Sequence, residues 1–199
     1  MLERLALLGG TLWAVCYAVA FFVGAREHAT AFPTVATLLN VSWEFAFAVL
    51  WPPANRASRW LYRVWLALDI GLLVEVLAWG GRDVPPGPLR DHFALVVGAA
   101  LGAAFCLQWL LYRKFQQPQL QAYVVNLAMS VSFLVMFYAR PGGEGLSVVV
   151  ALLKLLGTAC ISTANVLASR PRYFAHPLRL VLFSGVLVLD VSYLTLLLV

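Results

Sequence analysis

The sequence predicts an all-α membrane protein, a seven-transmembrane helix bundle with no soluble domain, and three observations carry that prediction. Of 199 residues, 62% are hydrophobic and 12% charged, with a mean hydropathy of +0.86. A soluble domain is about 45–50% apolar and about 25% charged. Seven apolar segments approach the roughly 20 residues that one crossing needs. Proline and glycine clusters fall between these segments, where a chain leaving the membrane must turn.

The segments follow in order. The first, about 5–24, is an aliphatic and aromatic run after Arg4. Residues 1–25 also resemble a signal peptide, with small residues at Val23-Gly24-Ala25, but a single base set against Glu3 and a long aromatic run favour a retained span. The second, about 33–51, begins at Pro33 and stops at Pro52-Pro53. The third, about 60–79, is bracketed by Trp60 and Trp79, and Pro85-Pro86-Gly87-Pro88 separates it from the fourth, about 93–112. Pro118 precedes the fifth, about 120–138, and Pro141-Gly142-Gly143 divides it from the sixth, about 146–167. Pro171 and Pro177 flank the last connection before the seventh, about 178–198. Trp51, Trp60, Trp79, Trp109, Tyr112 and Tyr138 lie near segment ends, as an aromatic belt requires. The whole of 1–199 is expected to form one membrane domain.

Charge gives an orientation. Arg4, Arg56, Arg59, Arg113, Lys114, Arg170 and Arg172 share one side, with Arg63 and Arg179 close by. Arg26, Arg82, Arg90 and Arg140 lie on the other, mixed with Glu27, Asp83, Asp91 and Glu144. The excess of basic residues places the N-terminus in the cytoplasm and the C-terminus outside. An alanine-rich, arginine-biased composition suggests a bacterial plasma membrane. No Walker loop, GxGxxG, HExxH or paired CxxC occurs, so nucleotide, dinucleotide and zinc-hydrolase chemistry is not expected. Cys16, Cys106 and Cys160 sit inside apolar segments as small hydrophobes. His28, His92 and His176 fall in connections without ligand spacing, so neither metal nor cofactor is expected.

Ionisable groups at membrane depth are costly, and they mark functional positions by default. Glu44, Asp69, Glu75, Lys154 and Asp190 are the candidates. Helical spacing puts Asn40, Trp43, Glu44, Phe47 and Trp51 on one stripe, an amide and an acid among aromatic rings, which should face the bundle interior. The plainer alternative is interhelical hydrogen bonding by Asn40 and Glu44. Asp190 is embedded in aliphatic residues with Tyr193 one turn away, a setting that favours a neutral acid able to donate a proton. Its plainer alternative is an ion pair with Lys154. Each acid lies about two residues past its segment's midpoint on helices running in opposite directions, so their depths differ by about 6 Å and they could bracket one cavity. Asp69 and Glu75 are about 120° apart on one helix, and pairing with Lys154 is the expected role for either. Gln108, Asn126 and Asn165 read as helix–helix hydrogen bonds.

The segment Asn40-Val41-Ser42-Trp43-Glu44 resembles the NxxWE-like motif of the integral-membrane terpene cyclases of fungal meroterpenoid, indole-diterpene and bacterial drimentine-type pathways. The resemblance covers the whole chain in layout and about ten residues as motif. It implies catalytic acids in the second and seventh segments, matched here by Glu44 and Asp190, and a non-metal cyclase that protonates the alkene or epoxide of a prenylated, farnesyl-type indole or meroterpenoid substrate. The chemistry of the residues agrees. The sequence has no DDxxD, no DxDD and no carboxylate cluster for magnesium, so initiation by protonation is expected over ionisation of a diphosphate. Asn40, Trp43, Phe47 and Tyr193 are the expected substrate contacts, with Trp13 and Phe133 as further π faces for a carbocation. The expected partners are membrane lipid and a prenylated small molecule entering from the bilayer, not nucleic acid.

Two rival readings remain. A small transporter of the PQ-loop or SWEET type would explain seven segments, with Pro33 before Asn40 and Pro118 before Asn126 as traces of a repeat, although the acid of the second segment has no counterpart near Asn126. A sterol-isomerase-like ligand-binding membrane protein would also surround a cation with acids and tryptophans.

Overall fold

The computed structural model describes residues 2–115, 118–168 and 177–199. Arg170, Pro171, Arg172 and His176 lie outside the described residues. The elements are α1 (Leu2–Glu27), α2 (Thr34–Phe45) continued by a π-helical turn (Ala46–Leu50), α3 (Arg56–Trp79) with a 3₁₀ turn (Gly80–Asp83), a short α4 (Pro88–Asp91), α5 (Phe93–Phe115), α6 (Pro118–Ala139), α7 (Val148–Ala168) and α8 (Pro177–Leu198). Among the described residues six helices are long and apolar enough to cross a membrane, and the second segment, Thr34–Leu50, is shorter than the rest. Its length departs from the even seven-span layout expected. At 1.5 Å per residue it reaches only about 25 Å, against a hydrocarbon core of about 30 Å. The π turn closes with Trp51 N donating to Ala46 O at 2.7 Å, and Pro52-Pro53 ends it. Such a turn rotates the following side chains relative to an α-helix and recurs at functional sites.

The packing order forms a ring. α1 packs on α3, α3 on α2, α2 on α6, α6 on α8, α8 on α7, and α7 back on α1 in the most extensive interface. α5 lies outside the ring against α2, α6 and α3. Its Leu95 and Leu110 are exposed, as are Phe22, Val74, Val135 and Val188 on other helices, which is the pattern of a lipid-facing surface. The α1–α7 contact is close because small residues meet there. A Cβ on Gly157 would come within 2.8 Å of Trp13 Cδ1 and 3.1 Å of Gly9 O. Without a hydrophobic driving force between helices in lipid, such backbone proximity supplies the dispersion contact that holds them together.

One end of the ring is sealed by polar connections. Arg140, following α6, donates from Nη2 to Thr30 Oγ1 at 2.6 Å, from Nη1 to Glu144 O at 3.0 Å and from Nε to Asp83 Oδ1 at 3.1 Å, and it forms an ion pair with Asp83. Three connections are thereby joined, and Glu27 Oε2 adds a bond from Gly145 N at 2.8 Å. Gly145 has φ +73°, and a Cβ there would lie 2.7 Å from Arg140 Nη1, so the turn needs glycine twice over.

Candidate active site

The stripe predicted on the second segment turns inward. Asn40, Trp43, Glu44 and Phe47 are all buried, and Glu44 is 1% exposed. The ring of helices leaves a cavity of about 140 Å³ beside that stripe. Its wall on the α1–α3 side is aromatic, formed by Trp13 and Tyr17 of α1, Trp43 of α2, and Tyr62 and Trp65 of α3. These rings brace one another. Trp13 and Tyr17 have centroids 5.4 Å apart, Tyr62 and Trp65 5.4 Å, and Trp43 and Tyr62 5.2 Å. Trp65 Nε1 donates to Gly10 O at 2.9 Å, which pins its ring to α1. The facing wall on α6 and α7 is mixed, with Val125, Met129 and Ile161 beside Tyr123, Asn126, Thr158 and Ser162. Gln119 and Asn165 lie towards the start of α6 and the end of α7, so the cavity reaches the face of the bundle opposite the Arg140 seal.

Glu44 and Asn40 are on the wall of this cavity, but Phe47, Asp190 and Tyr193 are not. Phe47 packs behind Trp43, with centroids 4.8 Å apart, and against Trp51 and Tyr112 at 6.0 Å each. Tyr193 packs on Phe133 at 5.0 Å. Asp190 is absent from the lining of the cavity that Glu44 lines, and α6 stands between α2 and α8 in the packing order. Asp190 instead makes a buried ion pair with Lys154 of α7, the plainer of its two expected roles. Ser130 completes the unit, donating to Asp190 Oδ1 at 2.7 Å and accepting from Lys154 Nζ at 2.7 Å. Lys154 Nζ also lies 5.8 Å from the ring centroids of both Trp13 and Phe133. Neither Asp69 nor Glu75 takes the Lys154 pairing expected of it.

Asp69, expected to pair with Lys154, has a different neighbour. It is fully buried in α3 and lies against Glu44. Asn40 approaches it, but the Asn40 amide is committed to Tyr17 Oη at 2.8 Å. Tyr17, having accepted that bond, sits beside Glu44 with its own hydrogen to give. Neither Asp69 oxygen nor Glu44 Oε2 meets a donor of ordinary geometry among the described residues. Two carboxyls side by side in a dry site repel each other when both are ionised. A signal for Asp69 was present in the sequence. Tyr62, Trp65, Asp69, Leu72 and Val76 form a helical stripe of the same aromatic-and-acid kind as the one on α2.

The arrangement offers one acid on the wall of an aromatic cavity, a second acid behind it, and no lysine, arginine or histidine among the described lining residues. Asn126, expected to join helices, does so through Nδ2 to Thr158 Oγ1 at 3.0 Å, and it also lines the cavity.

Comparison with known proteins adds a family to this geometry. The sequence is 31% identical over 109 residues to terpene cyclase ausL of Aspergillus calidoustus, a match taking in 52% of this chain and 42% of that relative. It is 23% identical over 197 residues to terpene cyclase dpmaB of Metarhizium anisopliae, covering 94% of this chain and 81% of the relative. Terpene cyclase andB of Emericella variicolor is 22% identical over 155 residues, covering 76% and 66% respectively. The chain thus spans less than half of the first of these relatives and most of the second. All are fungal, which lends nothing to the bacterial membrane suggested by composition. The model of the Pyr4-like transmembrane terpene cyclases matches residues 1–199, and the chain belongs to that family.

Proposed function

We propose that the protein is a membrane terpene cyclase that starts cyclisation by protonation, with Glu44 as donor and Asp69 as the acid that shares its proton. The observation that carries this reading is the buried carboxyl of Glu44 on the wall of an aromatic cavity, with the buried Asp69 of α3 beside it. The Glu44 proton adds to one carbon of a terminal alkene, or to an epoxide oxygen, and a tertiary carbocation results. The neighbouring double bond attacks that cation, a ring closes, and loss of a proton ends the sequence, so product and substrate have equal mass. Trp13, Trp43 and Trp65 present π faces to the cation, worth about 2 kcal/mol or more each once desolvated. Burial keeps water from quenching it. A dry apolar cavity of about 150 Å³ holds a benzene-sized molecule, so the 140 Å³ space suits the reacting end of a prenyl chain. The chain would be that of a prenylated indole or phenol drawn from the bilayer. The basic residues Arg4, Arg56, Arg59, Arg113 and Lys114 favour placing the open face in the cytoplasm.

A feeding assay tests this reading. Cells expressing the chain are given a panel of farnesylated indoles and phenols, and extracts are searched for isomers of unchanged mass. Isomers formed by the wild type and lost in Glu44→Gln at equal expression are the expected result. Products that survive Glu44→Gln would discard the donor. Movement of a compound across the membrane with no change of covalent bonds would instead support transport.

A further inference from the structure

α8 stands between α6 and α7 in the packing order, yet side chains bridge these two helices at regular steps. Tyr123 Oη donates to Ser162 Oγ at 2.6 Å, Asn126 Nδ2 to Thr158 Oγ1 at 3.0 Å, and Lys154 Nζ to Ser130 Oγ at 2.7 Å. The positions rise by three or four residues on α6 as they fall by four on α7, so the bridges are successive rungs between antiparallel helices. One more step in the same register, away from Ser130, brings Gln119 of α6 opposite Asn165 of α7. Both residues line the cavity, at the end where it reaches the face of the bundle. This rung is open: neither side chain forms a hydrogen bond among the described residues, although Asn165 was expected to join helices. Gln119 is exposed and Asn165 half-buried, and the Asn165 amide is not among the enclosed polar atoms, so a ligand can reach both groups.

We infer that the open Gln119–Asn165 rung is a head-group subsite for an uncharged head that carries a hydroxyl, with the prenyl tail running inward from it. An amide presents both a donor and an acceptor. A hydroxyl placed between two amides accepts from the N–H of one and donates to the carbonyl of the other. Further in, the polar side chains of the Tyr123 and Asn126 rungs are bonded to Ser162 and Thr158, and the lining includes Val125, Met129 and the tryptophans. The polar end of a substrate therefore finds partners at the mouth, and the apolar end fits beyond it. This rests on the cyclase reading for the tail, but it makes a separate claim about the head.

Two probes test the subsite on the purified protein in detergent: 4-farnesylphenol, and farnesylbenzene, which keeps the tail and ring but lacks the hydroxyl. Binding is read by quenching of intrinsic tryptophan fluorescence. Partition into the micelle is common to all variants, so the readout is how the ratio of the two affinities changes with substitution. Two neutral hydrogen bonds exchanged with water are worth roughly tenfold in binding. The double variant Gln119→Leu with Asn165→Leu should therefore lower the preference for the phenol by roughly tenfold, and each single variant by roughly threefold. Farnesylbenzene should bind the double variant about as well as the wild type, which also shows that the bundle remains folded. A ratio that is the same in the wild type and the double variant overturns the subsite, and so does failure of the wild type to bind 4-farnesylphenol. The expected change of ratio without any isomeric product would refute cyclisation and leave the subsite standing. Isomer formation with a ratio indifferent to both amides would do the reverse.

Discussion

Lys154→Met should be the most damaging single substitution in the bundle, and its cost can be worked from the contacts. Lys154 and Asp190 are 1% and 3% exposed, and they pair with each other. Removing one partner of a buried pair costs about 3–5 kcal/mol, because the other charge stays behind without compensation. In Lys154→Met the stranded group is Asp190. It keeps one bond from Ser130 and already has an oxygen, Oδ2, with no partner. Because that Ser130 bond survives the substitution, the low end of the range, about 3 kcal/mol, is expected. Asp190→Asn strands Lys154 instead. The ammonium keeps Ser130 and the rings of Trp13 and Phe133 at 5.8 Å, so this variant should lose less, by roughly 1 kcal/mol. The double variant Lys154→Met with Asp190→Leu leaves no charge and should return to within about 1 kcal/mol of the wild type. Denaturant unfolding of the purified variants in detergent, followed by tryptophan fluorescence, measures all three. A Lys154→Met protein as stable as the wild type would refute the reasoning, as would a double variant as unstable as the single one. Turnover by the double variant then decides whether Asp190 serves chemistry or structure. Activity that returns in the double variant shows that Asp190 does not itself act on the substrate, and a stable, inactive double variant assigns it a chemical role.

Three further outcomes are expected. Gly157→Ala should cost about 1–3 kcal/mol by overpacking, since the new Cβ would meet Trp13 Cδ1 at 2.8 Å, and the thermal midpoint in detergent should fall accordingly. Arg140→Gln should loosen the sealed end by only about 1–2 kcal/mol, because Asp83 is 38% exposed and solvent screens the pair, and faster hydrogen exchange over residues 140–147 would report it. A chelator such as EDTA should leave turnover unchanged, since Glu44 is the lone carboxyl among the described cavity-lining residues and a divalent cation needs several oxygen ligands.

The parts of this fold legible in the sequence are those set by local rules. Hydropathy and proline placement marked every apolar helix to within a few residues, and helical periodicity correctly turned Asn40, Trp43, Glu44 and Phe47 inward. Partner choice is a property of helix order, which periodicity does not contain. Three acids, Asp69, Glu75 and Asp190, competed for Lys154 on the page, and only the α7–α8 contact decides for Asp190. The same ignorance placed Phe47 and Tyr193 at the cavity, when Phe47 packs behind Trp43 and Tyr193 packs on Phe133, away from the lining residues. The short second segment was obscured for a different reason. A π turn is a matter of backbone register, and Ala46–Leu50 reads as an ordinary apolar helix.

The two buried polar systems differ in a way that bears on what an acid in α8 can contribute. The Lys154, Ser130 and Asp190 unit is neutral and largely satisfied, so it holds α6, α7 and α8 in register. The Glu44 and Asp69 pair is short of donors and opens onto the cavity, which is how a group that gives up a proton should be kept. Trp13 belongs to both systems, since it lines the cavity and has the Lys154 ammonium 5.8 Å from its ring centroid. A full positive charge on one side of that ring would oppose a carbocation held against it, because like charges in a low dielectric repel over several ångströms. Asp190 cancels that charge at contact distance. On this reading the acid of α8 matters to the reaction without touching the substrate: it keeps a necessary lysine from disfavouring the cation that the tryptophan wall is there to stabilise. Removing Asp190 alone would then slow turnover more than it destabilises the fold, and removing Lys154 together with it would restore the rate.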